Sequence, residues 1–433
     1  MKTMVSSLSA GLSGNFRVPG DKSISHRSVM LGSLAEGVTE VNGFLEAQDA
    51  LATLKAFQSM GVKIERLGEG RLRIHGVGLY GLKKPKSDLY VGNSGTSMRL
   101  LSGILAGQVF DSVLTGDSSL TKRPMRRVLD PLAQMGAKVG STDRGTSPLQ
   151  IYGDGQLSGI RYEMPMGSAQ VKSCLLLAGL YAEGETTVVE PAVTRDHTER
   201  MLRGFGYAVK TQGNAVSLKG GGRLKGMSID VPSDISSVAF FLVAASMTPN
   251  SDITLEHVGI NPTRTGIIDI LLLMGADIQL LNRREVGGEN VADIRVRSCA
   301  LNGINVPEEL VALAIDEFPV LFVAAAYAKG KTVVTGAEEL RVKESDRIQT
   351  MADGLQALGV SAQATSDGMI IEGGDVQGGE VESFDDHRIA MAFAVAGLQS
   401  RSAIKINNCE NVGTSFPSFV ELALFCGFKI STQ

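Results

Sequence analysis

The chain has 433 residues, a formal net charge of −4, 5% aromatic residues and no tryptophan. Without a basic excess it is not built to bind nucleic acid or an anionic membrane, and so few aromatics make a poor base-stacking surface. Any site for an anion must therefore concentrate its cations locally. A single core stops growing well short of this length, so more than one domain is expected.

In chain order, the start MKTMVSSLSAGLSG has no continuous apolar stretch of the signal-peptide kind, which makes a cytoplasmic protein the expectation. Then a pattern begins that recurs six times. An amphipathic helix, with apolar residues three and four apart, ends in a glycine and runs at once into an alternating, strand-like stretch. The pieces are LKAFQSMGVKI, LDPLAQMGAKV, ERMLRGFGYAV, IDILLLMGADI, ADGLQALGVSA and VELALFCGFKI. Their glycines, Gly61, Gly136, Gly206, Gly275, Gly359 and Gly427, sit where a helix takes a left-handed C-cap. A period of roughly 70 to 80 residues means that one supersecondary unit has been copied, and six units divide naturally into two domains of three.

Each unit carries a second helix that is apolar nearly all round and so belongs in a domain centre: SHRSVMLGSLAEG, TSMRLLSGILAG, SAQVKSCLLLAGLYAEG, DISSVAFFLVAAS, DEFPVLFVAAAYAKG and DHRIAMAFAVAGL. The longest apolar runs, near Val238–Met247 and Val320–Ala328, are too short to span a bilayer. The first turns of these helices are polar. Ser, Asp and Asn there are ordinary N-caps, but capping does not call for Lys22, Arg27, Arg99 and Arg388. Helix N-termini favour anions, so polar first turns gathered on one surface predict a shared anion-binding cleft. Asp316-Glu317 and Lys343-Glu344 place carboxylates at its mouth as candidate base and acid, although KESDR alone also reads as a solvated, salt-bridged turn. His387 alone reads as a capping or packed residue. Cys174, Cys299, Cys409 and Cys426 lack ligand spacing and are expected to be reduced core or strand residues. Neither a Walker loop nor a dinucleotide fingerprint is present, and no metal cluster has ligand spacing, so no cofactor and no metal are expected.

Taken together, VPGDKS from Val18, NSGTSMR, LTKRPM, SAQVKS, PSDISS, AIDEFP, KESDR, DHRIAMA and TSFP from Thr414 resemble the EPSP synthase family along essentially the whole chain. GDKS at Gly20, SAQ-x-K from Ser168, TRDHTE from Thr194 and NPTR from Asn261 resemble its second class. The resemblance implies an α/β, two-domain enolpyruvyl transferase fold of six β-α-β-α-β-β repeats, an inside-out α/β barrel with three repeats per domain. Domain one would comprise residues 1–19 plus 232–433 and domain two residues 20–231, with the active site in the interdomain cleft. Domain one would carry the catalytic carboxylates and the phosphoenolpyruvate side, and domain two the shikimate 3-phosphate side. The implied reaction moves the enolpyruvyl group of phosphoenolpyruvate to the 5-hydroxyl of shikimate 3-phosphate through a tetrahedral intermediate, in the shikimate pathway to chorismate and the aromatic amino acids. By motif position, Lys22, Ser23, Arg27, Ser168, Ala169, Gln170, Arg195, Asp316 and Lys343 would hold shikimate 3-phosphate. Lys22, Gly95, Arg123, Gln170, Arg347 and Arg388 would hold phosphoenolpyruvate. Asp316 would take the hydroxyl proton, and Glu344, with Lys22 nearby, would protonate the methylene carbon.

Two positions depart from or qualify the pattern. Thr414 stands where some members have a lysine before T-F-P, and Gly95 is glycine where certain glyphosate-insensitive members carry alanine. The related UDP-N-acetylglucosamine enolpyruvyl transferases carry Lys-Asn where this chain has Lys22-Ser23. They also place a cysteine in the loop that here runs from Gly116 to Lys122 without one. A non-catalytic anion binder would need the cations but not Asp316 and Glu344, and an RNA-terminal phosphate cyclase would need a nucleotide site that the sequence does not offer. No apolar helix face is left over, so a monomer with small-molecule substrates is expected.

Overall fold

All six repeat glycines lie in left-handed backbone in the computed structural model, which describes residues 2–154 and 156–433, with φ between 82° at Gly206 and 115° at Gly427. Each ends its amphipathic helix and releases the chain into a strand. The helix Gln48–Ser59 leads to the strand Lys63–Arg66, and Arg347–Ala357 leads to Ser361–Ala364. A side chain at such a φ is strained, so glycine is what lets the turn stay this short. The apolar helices form as expected: Lys22–Leu34, Gly95–Ala106, Ala169–Gly179, Ile235–Met247, Phe318–Tyr327 and His387–Ala396. In Ile235–Met247 every residue up to Ser246 is buried. Close crossing is built in where Gly103 meets Ala169–Gly179, since a Cβ there would lie 2.2 Å from the Cys174 carbonyl oxygen.

The chain divides into two units. One comprises Met1–Pro19, Pro232–Glu285 and Glu289–Gln433, and the other Gly20–Val231 with Val286–Gly288. Each has its own apolar core around its three buried helices. Among the described residues six small sheets surround these cores, five of four strands and one of three. A sheet typically joins one parallel edge pair to an antiparallel hairpin, as where Leu89–Tyr90 pairs Ser112–Thr115 in parallel and Leu149–Tyr152 lies antiparallel beyond. The sixth sheet is completed by the N-terminal strand Thr3–Ser7, inserted between Ile404–Asn407 and Lys429–Thr432. In the three-stranded sheet the parallel edge shrinks to isolated bridges, Asn302↔Lys329 and Asn305↔Val333. Pro307 follows directly and cannot donate to a ladder. Among the described residues no helix is long and apolar enough to cross a membrane.

Candidate active site

The polar first turns do cap their helices. Asp21, Ser94, Ser168, Asp234 and Asp386 each accept a backbone N–H of the first turn, and only Glu317 at the start of Phe318–Tyr327 does not. Capping and cation placement therefore coexist, and each unit presents its own cluster.

In the unit containing Gly20–Val231, Lys22, Ser23 and Arg27 occupy the first turns of Lys22–Leu34. The Lys22 ammonium pairs with Asp49, a partner that the sequence reading missed although Asp49 sits in the acidic first turn of Gln48–Ser59. Arg27 is buried and helps to hold the shape of this cluster. Its guanidinium donates to Thr198 Oγ1 at 2.7 Å, Ser173 Oγ at 2.8 Å and the Ser23 carbonyl at 3.0 Å. Gly95 opens the helix Gly95–Ala106, and a Cβ there would sit 3.1 Å from Arg99 Nη1 and 3.2 Å from Arg123 Nη1. Arg123 donates to Asn93 Oδ1 at 2.6 Å. Arg99 donates to Gln170 Oε1 at 2.6 Å, and Gln170 donates to Thr96 Oγ1 at 3.0 Å. Ser168, Ala169 and Gln170 form the start of Ala169–Gly179, and Arg195 lies just before His197–Gly204. Beneath them Lys172, 1% exposed, bridges Glu190 at 2.8 Å and Glu199 at 2.7 Å.

Behind Lys22 runs a buried polar chain. His26 Nδ1 lies 2.7 Å from Thr53 Oγ1, Thr53 Oγ1 2.6 Å from Ser97 Oγ, and Ser97 Oγ donates to the Ser94 cap at 2.7 Å. Burial, and then the charges of Lys22 and Arg27, push the His26 pKa well below its ordinary 6.5. The unfolded chain therefore takes up a proton here that the folded chain refuses, and stability falls as pH drops below 6.5. Between pH 7.5 and 5.5 the wild type should lose about 1.4 kcal/mol more than His26→Gln, a difference that urea midpoints will read. Equal losses in the two proteins would show that His26 does not carry this dependence.

In the other unit, Asp316 precedes the helix Phe318–Tyr327, Lys343 and Glu344 precede Arg347–Ala357, and Arg388 is the second residue of His387–Ala396. Arg347 is the hub. Its side chain is 1% exposed, with Nε 2.8 Å from Asp386 Oδ2, Nη2 2.7 Å from Glu344 Oε2 and Nη1 3.6 Å from Asp316 Oδ1. Lys343 Nζ lies 3.4 Å from Asp316 Oδ1, and Arg388 Nη1 donates to the Asp316 carbonyl at 3.0 Å. Burial works against the charge on Arg347, but Asp386, Glu344 and Asp316 outweigh it and hold its pKa above the ordinary arginine value. For Asp386 burial again opposes the charge, and Arg347 wins, so its pKa lies below the usual carboxylate range.

KESDR is thus salt-bridged, as one reading had it, but not solvated at Arg347. The placement of Glu317 at the mouth is wrong. Glu317 is 1% exposed and turns inward to Ser236 and Arg264, because an arginine from the NPTR segment supplies its counter-charge there. Thr414 is buried and donates to the Asn411 carbonyl at 2.6 Å. The cysteines are all free thiols, and burial pushes Cys174 and Cys426 up to about 12, which makes them unreactive. A cavity of about 360 Å³ lies elsewhere in this unit, lined by Cys299, Tyr327 and Lys329 among others, and contains none of the expected site residues.

Helix N-termini that gather guanidinium and ammonium groups suit the binding of small anions. The family model of EPSP synthase (3-phosphoshikimate 1-carboxyvinyltransferase) matches residues 8–422. A relative named 3-phosphoshikimate 1-carboxyvinyltransferase from Methylococcus capsulatus is 65% identical over 422 residues, covering 98% of this chain and 97% of the relative. One of the same name from Nitrosococcus oceani is 64% identical over 419 residues, covering 97% and 94%. The solved EPSP synthase of Acinetobacter baumannii has a TM-score of 0.90 at 59% identity, covering 100% of both chains. The chain belongs to the EPSP synthase family.

Proposed function

We propose that this protein transfers the enolpyruvyl group of phosphoenolpyruvate to the 5-hydroxyl of shikimate 3-phosphate, releasing phosphate, as a cytoplasmic monomer of the shikimate pathway. The observation that carries this reading is the Asp316–Lys343–Arg347–Glu344 cluster, with Asp316 Oδ1 3.4 Å from Lys343 Nζ and 3.6 Å from Arg347 Nη1. It sets a partly exposed carboxylate among cations, as a proton acceptor working beside phosphate and carboxylate groups requires. Lys22, Ser23, Arg27, Ser168, Ala169, Gln170, Arg195, Asp316 and Lys343 hold shikimate 3-phosphate in this reading. Lys22, Gly95, Arg123, Gln170, Arg347 and Arg388 hold phosphoenolpyruvate. Arg27 also fixes Ser23, whose carbonyl its Nη1 meets at 3.0 Å. Asp316 is the base and Glu344 the proton source, with no cofactor and no metal in the scheme. The domain division proposed is residues 1–19 plus 232–433, with the carboxylates and the phosphoenolpyruvate side, and residues 20–231, with the shikimate 3-phosphate side. The second class of the family is the proposed subtype.

Phosphate release from phosphoenolpyruvate, measured with shikimate 3-phosphate and in parallel with UDP-N-acetylglucosamine, tests the reading. Release with shikimate 3-phosphate alone is expected, and release only with the sugar nucleotide would overturn it. No release with either would leave an anion binder. Gly95→Ala gives a finer check. The added methyl must push aside the Arg99 and Arg123 guanidinium tips by a few tenths of an ångström, leaving the fold intact. It should weaken glyphosate, which is longer than phosphoenolpyruvate, at least about tenfold more than it raises the phosphoenolpyruvate KM. Equal effects on the two would place Gly95 away from the inhibitor.

A further inference from the structure

We infer that Glu317 is a positioning residue for Asp316, locked by Arg264 and Ser236, an inference that rests on Asp316 being the base. Asp316 and Glu317 are consecutive, so fixing one α-carbon confines the other to 3.8 Å from it. The Asp316 carboxylate pairs with Lys343 and Arg347 at 3.4 and 3.6 Å, and where it stands relative to them depends on the backbone that carries it. That backbone is held at the Asp316 carbonyl by Arg388 and at the Glu317 N–H, which donates to the Ala314 carbonyl at 2.9 Å. The Glu317 side chain then runs inward. Ser236 Oγ donates to Glu317 Oε1 in a short contact, and Arg264 Nη2 lies 2.7 Å from Ser236 Oγ and 3.6 Å from Glu317 Oε1.

The lock joins two of the buried helices at their N-termini. Arg264 Nη2 is also 3.4 Å from Asp234 Oδ1, and Asp234 caps Ile235–Met247 while Glu317 starts Phe318–Tyr327. Arg264, Glu317, Asp234 and Ser236 are each at most 7% exposed. Glu317 Oε2 has no hydrogen-bond partner among the described residues, so its burial is offset through Oε1 by Ser236 and Arg264. A buried carboxylate so dependent on one arginine has a single well-defined place, and loosening it moves the peptide that carries Asp316.

The test is a double-mutant cycle between Glu317→Gln and Asp316→Ala. Glutamine keeps the shape and an acceptor for Ser236 but removes the charge facing Arg264. In the otherwise wild-type enzyme Glu317→Gln should lower kcat about tenfold or more, with the KM of both substrates within about twofold, since small misplacements act on the chemical step. In the Asp316→Ala background it should change the residual rate by less than about twofold, because a group acting through Asp316 has nothing left to position. Arg264→Lys, run through the same cycle, covers the case in which Glu317→Gln fails to fold. Multiplying effects, or an unchanged kcat in both single variants, would overturn the lock while leaving the proposed function standing. A wild type without transfer activity would overturn the proposed function first, and the lock with it.

Discussion

Asp316→Ala is expected to keep its fold and lose turnover, with kcat falling by about 10²–10⁴-fold, the range by which a positioned general base accelerates a proton transfer. The fold should survive because the Asp316 side chain is 16% exposed and lies in a turn, outside the helix Phe318–Tyr327 and outside the core. Its removal leaves Arg347 still paired with Asp386 and Glu344, and leaves Lys343 a partner in Glu339 at 3.6 Å. The loss should fall on kcat far more than on KM, since the carboxylate is needed to take the proton as the new bond forms. Asp316→Asn, which keeps the shape without the basicity, should be about as slow. Steady-state kinetics with a thermal scan of each variant decides the matter. A folded variant with near wild-type kcat would remove Asp316 from the mechanism.

The repeats were legible because they are local. Helix period, C-cap glycine and strand alternation all fall within about eleven residues, and left-handed backbone leaves little choice but glycine. The cap residues were legible for the same reason. What failed was long-range. Glu317 lies 81 residues from Ser236, and nothing in AIDEFP says that an arginine of NPTR waits for it inside the protein. Arg99 was legible as a cation but not as the partner of Gln170, 71 residues on, to which it donates. Lys22 and Asp49 sit on different helices and had no pattern to join them. Charge type can be read from a sequence, but whether a charge is spent on the protein or kept for a ligand depends on contacts that only the fold supplies. The polar chain from His26 to Ser94 belongs to the same category, since each link crosses between helices or caps one.

Arg347→Met is expected to destabilise its unit by about 3–5 kcal/mol at pH 7.5, the cost of leaving a buried charge without its partner. The partner is Asp386, whose side chain is 0% exposed and which already caps His387–Ala396 by accepting the Arg388 N–H at 2.9 Å. The deficit should depend on pH in a direction that follows from who holds Asp386 ionised. In the wild type the Arg347 charge keeps the Asp386 pKa below its usual range, so this contribution to stability is present above the unfolded value of about 3.9 and lost as pH falls towards the folded value. In the variant burial, reinforced by the Glu344 charge, is no longer countered by Arg347 and outweighs His387 and the hydrogen bonds from Ser345 and the Arg388 N–H, so the folded pKa rises above the unfolded one and the carboxylate is easiest to accommodate once protonated. Between pH 7.5 and pH 4.5 the wild type therefore keeps this contribution while the variant is relieved as Asp386 takes up a proton, so the gap between their urea midpoints should narrow. Arg347→Lys keeps a charge but not the fork that reaches Asp386 and Glu344 together, and should fall between the two. A deficit that is below about 1 kcal/mol, or the same at both pH values, would mean that the hub is held by packing and not by its charges.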